Sequence, residues 1–138
     1  MTLDERIDRL EKAEGPDREL DRNLWRIENP TVPGMTSDLF LPRYTASLDA
    51  IVGLIERVLP GFAWKVGTCS VSDDAWICPD HNNPEHGERL MKQFPPVYGT
   101  KWDRGIDVDL RPPGRPAIAL CIAFCLALQS IGQEEPAQ

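Results

Sequence analysis

The sequence lacks an excess of positive charge, a long apolar run and a secretory signal. Its 138 residues carry 15 lysines and arginines against 22 aspartates and glutamates, a formal net charge of -7. Coating nucleic acid or an anionic membrane depends on clustered cations, so we expect neither as a direct partner. No apolar stretch reaches the ~18 residues of a membrane span, and a charged run follows Met1, so we expect a cytoplasmic protein.

The common catalytic motifs are also missing, since the chain has no G-x-S-x-G, P-loop or G-x-G-x-x-G pattern. Asp103, Asp107 and Asp109 form an acidic group that is able to hold Mg2+ or to act as an acid–base pair. The other interpretation is a solvent-facing strand whose charges oppose edge pairing. Because no phosphate-binding loop or paired base accompanies these carboxylates, we expect a protein that is not an enzyme.

Apolar residues at helical spacing are what the sequence does contain. The charged segment 1–28 has two amphipathic stretches separated by Gly15-Pro16-Asp17, with a capping box predicted from Thr2 to Glu5. Residues 45–59 carry a broad apolar stripe that we expect Thr45 to cap. Residues 117–131 are apolar almost all round, which predicts the buried central helix of the fold.

Strand patterns occupy the middle of the chain, at residues 62–71, 75–78 and 106–110. The first two predict a hairpin, and the third alternates apolar and acidic side chains. The order of elements predicts an α+β fold with a small, mainly antiparallel sheet of three to four strands, packed between helices in an α/β/α sandwich-like arrangement.

We expect a single domain over residues 1–132, large enough to form a core without a metal or a disulfide. Within it, residues 79–102 contain many prolines, glycines and asparagines and predict a long loop, with one helical turn near Glu88 to Lys92, that is functional or mobile. Residues 133–138 predict a disordered tail.

A group of metal-ligand side chains lies near this loop: Cys69, Cys78, His81 and His86 fall within one short stretch of sequence. A hairpin followed by a loop is able to fold two thiolates and two imidazoles around Zn2+. However, the spacing lacks a paired Cys-x-x-Cys knuckle. We therefore favour the interpretation in which a half-buried cysteine lies in a strand and the two histidines are exposed to solvent. We expect no cofactor, and a zinc site is the alternative.

A candidate ligand site combines Arg115 with two tryptophans, Trp76 and Trp102. Arg115 lies where the helix over residues 117–131 begins, and the free backbone N–H groups of a helix start are able to bind phosphate or carboxylate. The tryptophans are candidates to line the ligand surface, although aromatic residues in strands more often belong to the core.

Four short stretches follow one another at a recognisable spacing: G-P-D-R-E-L-D at 15–21, Y-T-A-S-L-D-A at 44–50, L-P-G at 59–61 and P-A-I-A-L-C at 116–121. In these stretches the chain resembles the phage ABA sandwich domain family, over roughly residues 3–130. That family contains small phage and prophage proteins of uncharacterised function. The resemblance implies helical layers around a sheet and a phage context, and it carries no catalytic residue onto this chain.

We therefore hypothesise a non-enzymatic phage accessory protein in the host cytoplasm. It would bind a host protein through an acidic surface and inhibit a host-defence or host-takeover target, with segment 1–28 or loop 79–102 as the contact. The alternative is a small-ligand protein that holds a nucleotide or zinc between the sheet and loop 79–102. Both hypotheses leave the oligomeric state open, including a homodimer.

Overall fold

The computed structural model describes residues 1–32 and 37–132, and these residues form six helices and three strands. In chain order the elements are α1 (Leu3–Lys12), α2 (Arg18–Glu28), α3 (Leu48–Val58), β1 (Phe62–Thr68), β2 (Asp73–Pro79), α4 (Gly87–Gln93), α5 (Lys101–Arg104), β3 (Ile106–Leu110) and α6 (Pro116–Gly132). The predicted small α+β fold is confirmed. The tail predicted for residues 133–138 lies outside the described residues.

The three strands form one open antiparallel sheet in the order β1-β2-β3. β1 and β2 are joined by a tight turn in which Thr68 is the partner of Asp73, so the predicted hairpin is confirmed. β2 is the central strand. Its apolar side chains Ala75 and Ile77 are buried, and they lie between Val66 and Trp64 of β1 and their counterparts on β3.

Helix α6 forms the centre of the protein, as predicted. It packs against all three strands through one side and against α1 and α3 through other sides. Consecutive residues from Ala117 to Cys125 are buried, which follows from an apolar sequence with no polar stripe. Among the helices of the described residues, none combines the length and the apolarity that a membrane crossing needs.

The helix starts follow local capping chemistry, with one correction. The predicted cap of α1 is confirmed, since the Thr2 hydroxyl accepts a hydrogen bond from the backbone N–H of Glu5 at 3.2 Å. The predicted Thr45 cap of α3 is wrong, because Ser47 is the N-cap residue. Thr45 instead donates its hydroxyl hydrogen bond to buried Asp21 at 2.7 Å, which ties the start of α3 to α2.

The long loop predicted at residues 79–102 is only partly correct, because this segment contains α4, at the place of the predicted helical turn, and the first half of α5. Phe94 and Trp102 of the segment pack edge-on or tilted against each other and against Phe62 of β1, with ring centroids 5.0 to 6.3 Å apart. The prolines and glycines therefore delimit short helices, and the aromatic side chains between them anchor the segment to the core.

Candidate functional site

The face of the sheet opposite α6 is open, so the sandwich-like placement of the sheet between helices that the sequence predicts is not found at this face, where most side chains are polar and exposed. The strand register places Lys65, Trp76 and Asp107 in one row across this face, and Gly67, Asp74 and Asp109 in the next row. Alternate strand residues point to opposite sides of a sheet, so these six share one side. We call them the outer face. Trp76 is half-buried, and the other five residues are exposed.

A groove of about 370 Å³ lies on the outer face, and its lining includes Lys65, Gly67, Asp74, Trp76 and Asp107. Gly67 creates part of this space, since a Cβ atom placed there would have no neighbouring atom within 4 Å. Glycine inside a strand weakens the strand and often marks a place where another group approaches the backbone closely. The groove is therefore open at position 67, where another residue would place a side chain.

Three carboxylates and one ammonium group make the outer face acidic. Asp74 and Asp109 are direct cross-strand partners, an arrangement of like charges that destabilises a sheet. Asp109 is partly compensated by Arg111, whose Nη2 lies 3.1 Å from its Oδ2. The hydroxyl of Ser72, followed by Arg111, lowers the pKa of Asp109 below its usual value.

The other two carboxylates of the outer face have no such compensation. Within the described residues, the carboxylates of Asp74 and Asp107 take part in no hydrogen bond and no ion pair. Both are exposed, and both lie next to Trp76, Asp107 as its cross-strand partner and Asp74 two residues earlier on the same side of β2. Two carboxylates beside an indole are suited to binding a cation.

The indole of Trp76 is held in place from one side. Its Nε1–H donates a hydrogen bond to the carbonyl oxygen of Arg104 at 2.8 Å. This close approach requires glycine at position 105, where φ is +88° and a Cβ atom would lie 2.3 Å from Nε1. On the open side, Nζ of Lys65 lies 5.1 Å from the centroid of the ring, within cation–π range.

The four candidate zinc ligands are not brought together. Cys69 is exposed in the hairpin turn, whereas Cys78 is buried near the other end of β2, roughly 20 Å away at the rise of a strand. His81 Nε2 contacts the carbonyl oxygen of Phe94 at 2.7 Å, and His86 lies beside Arg89. In the part of the chain that the structure describes, no group of three or more His, Cys, Asp or Glu residues is arranged to hold a metal ion.

The cysteines also differ in their chemistry. Burial raises the pKa of Cys78, whose thiol donates to the carbonyl oxygen of Trp102 at 3.6 Å. Burial likewise raises the pKa of Cys121, and that of Cys125 to about 12. Hydrogen bonding from the backbone of Val71 lowers the pKa of Cys69. Cys69 therefore differs from the other three cysteines in having an exposed thiol with a lowered pKa.

The three candidate ligand residues lie in different places. The Arg115 guanidinium donates to the carbonyl oxygens of Ala13, Glu11 and Pro112 at 2.5 to 3.3 Å. These hydrogen bonds connect the residue before α6 to the end of α1, and they use guanidinium donors that an anion would otherwise bind. Trp102 is buried in the core. Trp76 alone of the three lines the groove.

The acidic group predicted from the sequence is divided in the same way. Asp107 and Asp109 lie on the outer face, as the alternation of β3 indicates, whereas Asp103 is an exposed residue of α5. Sequence reasoning did not include Asp74 or Gly67 among the site residues. Asp74 becomes a candidate only through its pairing with Asp109 of β3, and the sequence does not show the strand register that sets this pairing.

Sequence reasoning also missed a buried carboxylate, Asp73, which has no exposed surface. It accepts hydrogen bonds from the Thr68 hydroxyl at 2.5 Å and from the backbone N–H of Arg115. Burial by itself raises the pKa of Asp73, but these hydrogen bonds, with one from the backbone of Gly114, outweigh it and lower the pKa. Asp73 thereby joins the hairpin to the start of α6.

Comparisons with known proteins give no relative from which a function is transferable. No family model matches the chain, and neither a curated protein nor a solved structure matches it. The resemblance to the phage ABA sandwich domain family therefore stays a prediction from the sequence.

Proposed function

We propose that this protein acts by binding rather than by catalysis, and that its outer face docks onto a basic segment of a partner protein. The observation that carries the proposal is the pair of unpartnered carboxylates, Asp74 and Asp107, beside the fixed indole of Trp76. A cationic side chain entering the groove would gain both the carboxylates and the aromatic face.

Two features of the outer face lower the stability of the sheet at one place. Asp74 opposes Asp109 across the strands, and Gly67 weakens β1 beside them. Features that act against the fold without a local compensation are expected at functional positions. Both features would help a positively charged partner, because they add negative charge and leave space for a side chain.

The charged segment 1–28 is a weaker candidate for the contact. It folds as α1 and α2, and several of its charges are neutralised within the protein, as in the pairs Arg9–Glu19 and Lys12–Asp8. The segment 79–102 is held to the core by Phe94 and Trp102. These contacts favour the outer face as the surface that is left for a partner.

The net charge of -7 supports the same choice, since opposite charge steers a partner into its encounter complex. The resemblance to phage proteins makes a basic face of a cytoplasmic host protein the first partner class to test. Inhibition of a host-defence or host-takeover target is the form of function that this context favours. The alternative of a bound nucleotide or zinc has less support, because its proposed ligands lie apart.

The test uses a labelled peptide of alternating arginine and serine as a basic probe, followed by fluorescence anisotropy at low ionic strength. The double variant Asp74→Asn/Asp107→Asn removes the two unpartnered carboxylates and is expected to weaken binding by about tenfold. The control Glu56→Gln/Glu88→Gln removes the same charge from exposed residues of α3 and α4, and we expect about a twofold change or less.

Two results would contradict the proposal. Equal weakening by the two double variants would show that the probe responds to net charge and not to the outer face. A wild-type protein that does not bind the probe, while every variant also fails to bind it, would remove the proposed function altogether.

A further inference from the structure

We propose that Lys65 is a built-in occupant of a cation site on Trp76, and that an arginine side chain of the partner displaces it on binding. This inference rests on the proposed function, and it adds the chemistry of the group that is recognised and a reason for selectivity. The site consists of the open face of the indole, the carboxylates of Asp74 and Asp107, and the recess at Gly67.

Lys65 already places a cation beside the indole of Trp76. Lys65 is the cross-strand partner of Trp76 on β1, and Asp107 is its partner on β3, so the indole lies between a cation and an anion. The ammonium Nζ is 5.1 Å from the ring centroid. A cation thus already uses the aromatic surface that faces the groove.

The indole of Trp76 is firmly fixed, whereas the ammonium group of Lys65 is not. The indole is fixed by its hydrogen bond to Arg104 and by the close approach of Gly105. Lys65 is exposed, and within the described residues its ammonium group forms no hydrogen bond and no ion pair. A lysine on a flexible stem is released readily, whereas the prepared aromatic surface remains for the next cation.

The shape of the site favours arginine as the replacement. A planar guanidinium stacks on an indole and at the same time donates several hydrogen bonds to carboxylates, which an ammonium group does less well. Asp74 and Asp107 have unused acceptor atoms at the sides of the indole, and Gly67 leaves space for the stem of the incoming side chain. An arginine of the partner would therefore gain contacts that Lys65 does not make.

Removing the occupant tests the inference. In the arginine–serine peptide assay, Lys65→Gln is expected to tighten binding by about three- to tenfold, because the peptide no longer competes with an internal cation. Lys92→Gln is the matched control, since it removes one positive charge from an exposed residue of α4. We expect it to change the affinity by less than about twofold.

A spectroscopic readout follows the displacement itself. In the free protein, the ε-methylene protons of Lys65 should resonate upfield because of the ring current of Trp76. Titration with the peptide should move this signal back to the position of a solvent-exposed lysine. The Lys65→Arg variant keeps a cation on the ring and should bind the peptide no more tightly than the wild type does.

The outcomes separate this inference from the proposed function. If Lys65→Gln and Lys92→Gln tighten binding equally, or if the Lys65 signal does not move at saturation, the displacement is overturned. The proposed function then still stands, provided that Asp74→Asn/Asp107→Asn weakens binding. If neither the wild type nor Lys65→Gln binds the peptide, both proposals fail.

Discussion

Asp73 and Asp74 are neighbours in the sequence, yet the sheet places them in opposite environments. Asp73 is fully buried and accepts hydrogen bonds from Thr68 and from the backbone at the start of α6. Asp74 is exposed on the outer face and, among the described residues, its carboxylate has no hydrogen-bond partner. The same side chain thus contributes to the fold in one position and is left available for a partner in the next.

The comparison extends to the two faces of the sheet. On the inner face the strands meet α6, where Ile77 and Phe124 are buried and Asp73 accepts hydrogen bonds from Thr68 and Arg115. On the outer face the like charges of Asp74 and Asp109 oppose each other, and Gly67 leaves a recess. Stability is therefore concentrated on one side of the sheet, and the capacity for recognition on the other.

The largest effect on stability is expected from a substitution of Asp73. Asp73→Asn places an amide where two backbone N–H groups and a hydroxyl need an acceptor, so we expect the free energy of unfolding to fall by about 2–3 kcal/mol. Asp74→Asn, the matched variant, removes the repulsion with Asp109 and should change stability by about 0.5 kcal/mol or less. Urea unfolding of both variants measures the difference, and equal losses would contradict the roles assigned to the two residues.

The pH dependence of stability sharpens the same comparison. Because the folded protein holds the pKa of Asp73 below its usual value, the unfolded chain binds a proton more readily as the pH falls. The stabilisation by Asp73 is therefore fully present above the unfolded pKa of about 3.9 and is lost as the pH falls through the folded pKa.

Urea unfolding at a series of acidic pH values checks this linkage. The decline in stability below about pH 4 should be clearly smaller in Asp73→Asn than in the wild type, because the variant has no proton to take up at this position. If the stability of Asp73→Asn falls with decreasing pH as steeply as that of the wild type, other carboxylates cause the acid sensitivity.

The smallest effect on stability is expected at Gly67, where binding should change most clearly. Gly67→Val adds a side chain with high strand propensity in open space, so the free energy of unfolding should stay the same or rise by up to about 1 kcal/mol. Affinity for the arginine–serine peptide should fall by about tenfold, because the recess is filled. Gly67→Ala should give an intermediate loss, and unchanged affinity in both variants would exclude the groove as the docking place.

Local sequence patterns predicted much of the framework. The cap at Thr2, the alternation of apolar and acidic residues along β3, and the apolar stretch that becomes α6 were all visible, since each depends on neighbours within a few residues. The segment 79–102 was predicted as a loop with one helical turn, and the extent of its structure was missed because the prolines and glycines that suggest a loop also delimit the short helices α4 and α5. Its order comes from Phe94 and Trp102, whose partner Phe62 is distant in the sequence.

Candidate site residues were predicted with less success, for a related reason. Cys69, Cys78 and the two histidines are close along the chain, but an extended strand separates its ends by its own length. Arg115 was correctly placed at the start of a helix, but the carbonyl groups that use its guanidinium belong in part to α1. Trp76, in contrast, does lie beside carboxylates, because the strand register pairs it with Asp107.

The sequence by itself determined the acidic charge, the helices and strands with strong periodicity, and the burial of the segment that forms α6. These properties depend on composition and on contacts within a few residues. Only the tertiary structure decided which aspartates are buried and which remain unpaired, and it set Lys65 and the carboxylates around Trp76. The reason is that pairing between strands and packing against α6 join residues far apart in the chain, and no local pattern encodes the register that brings them together.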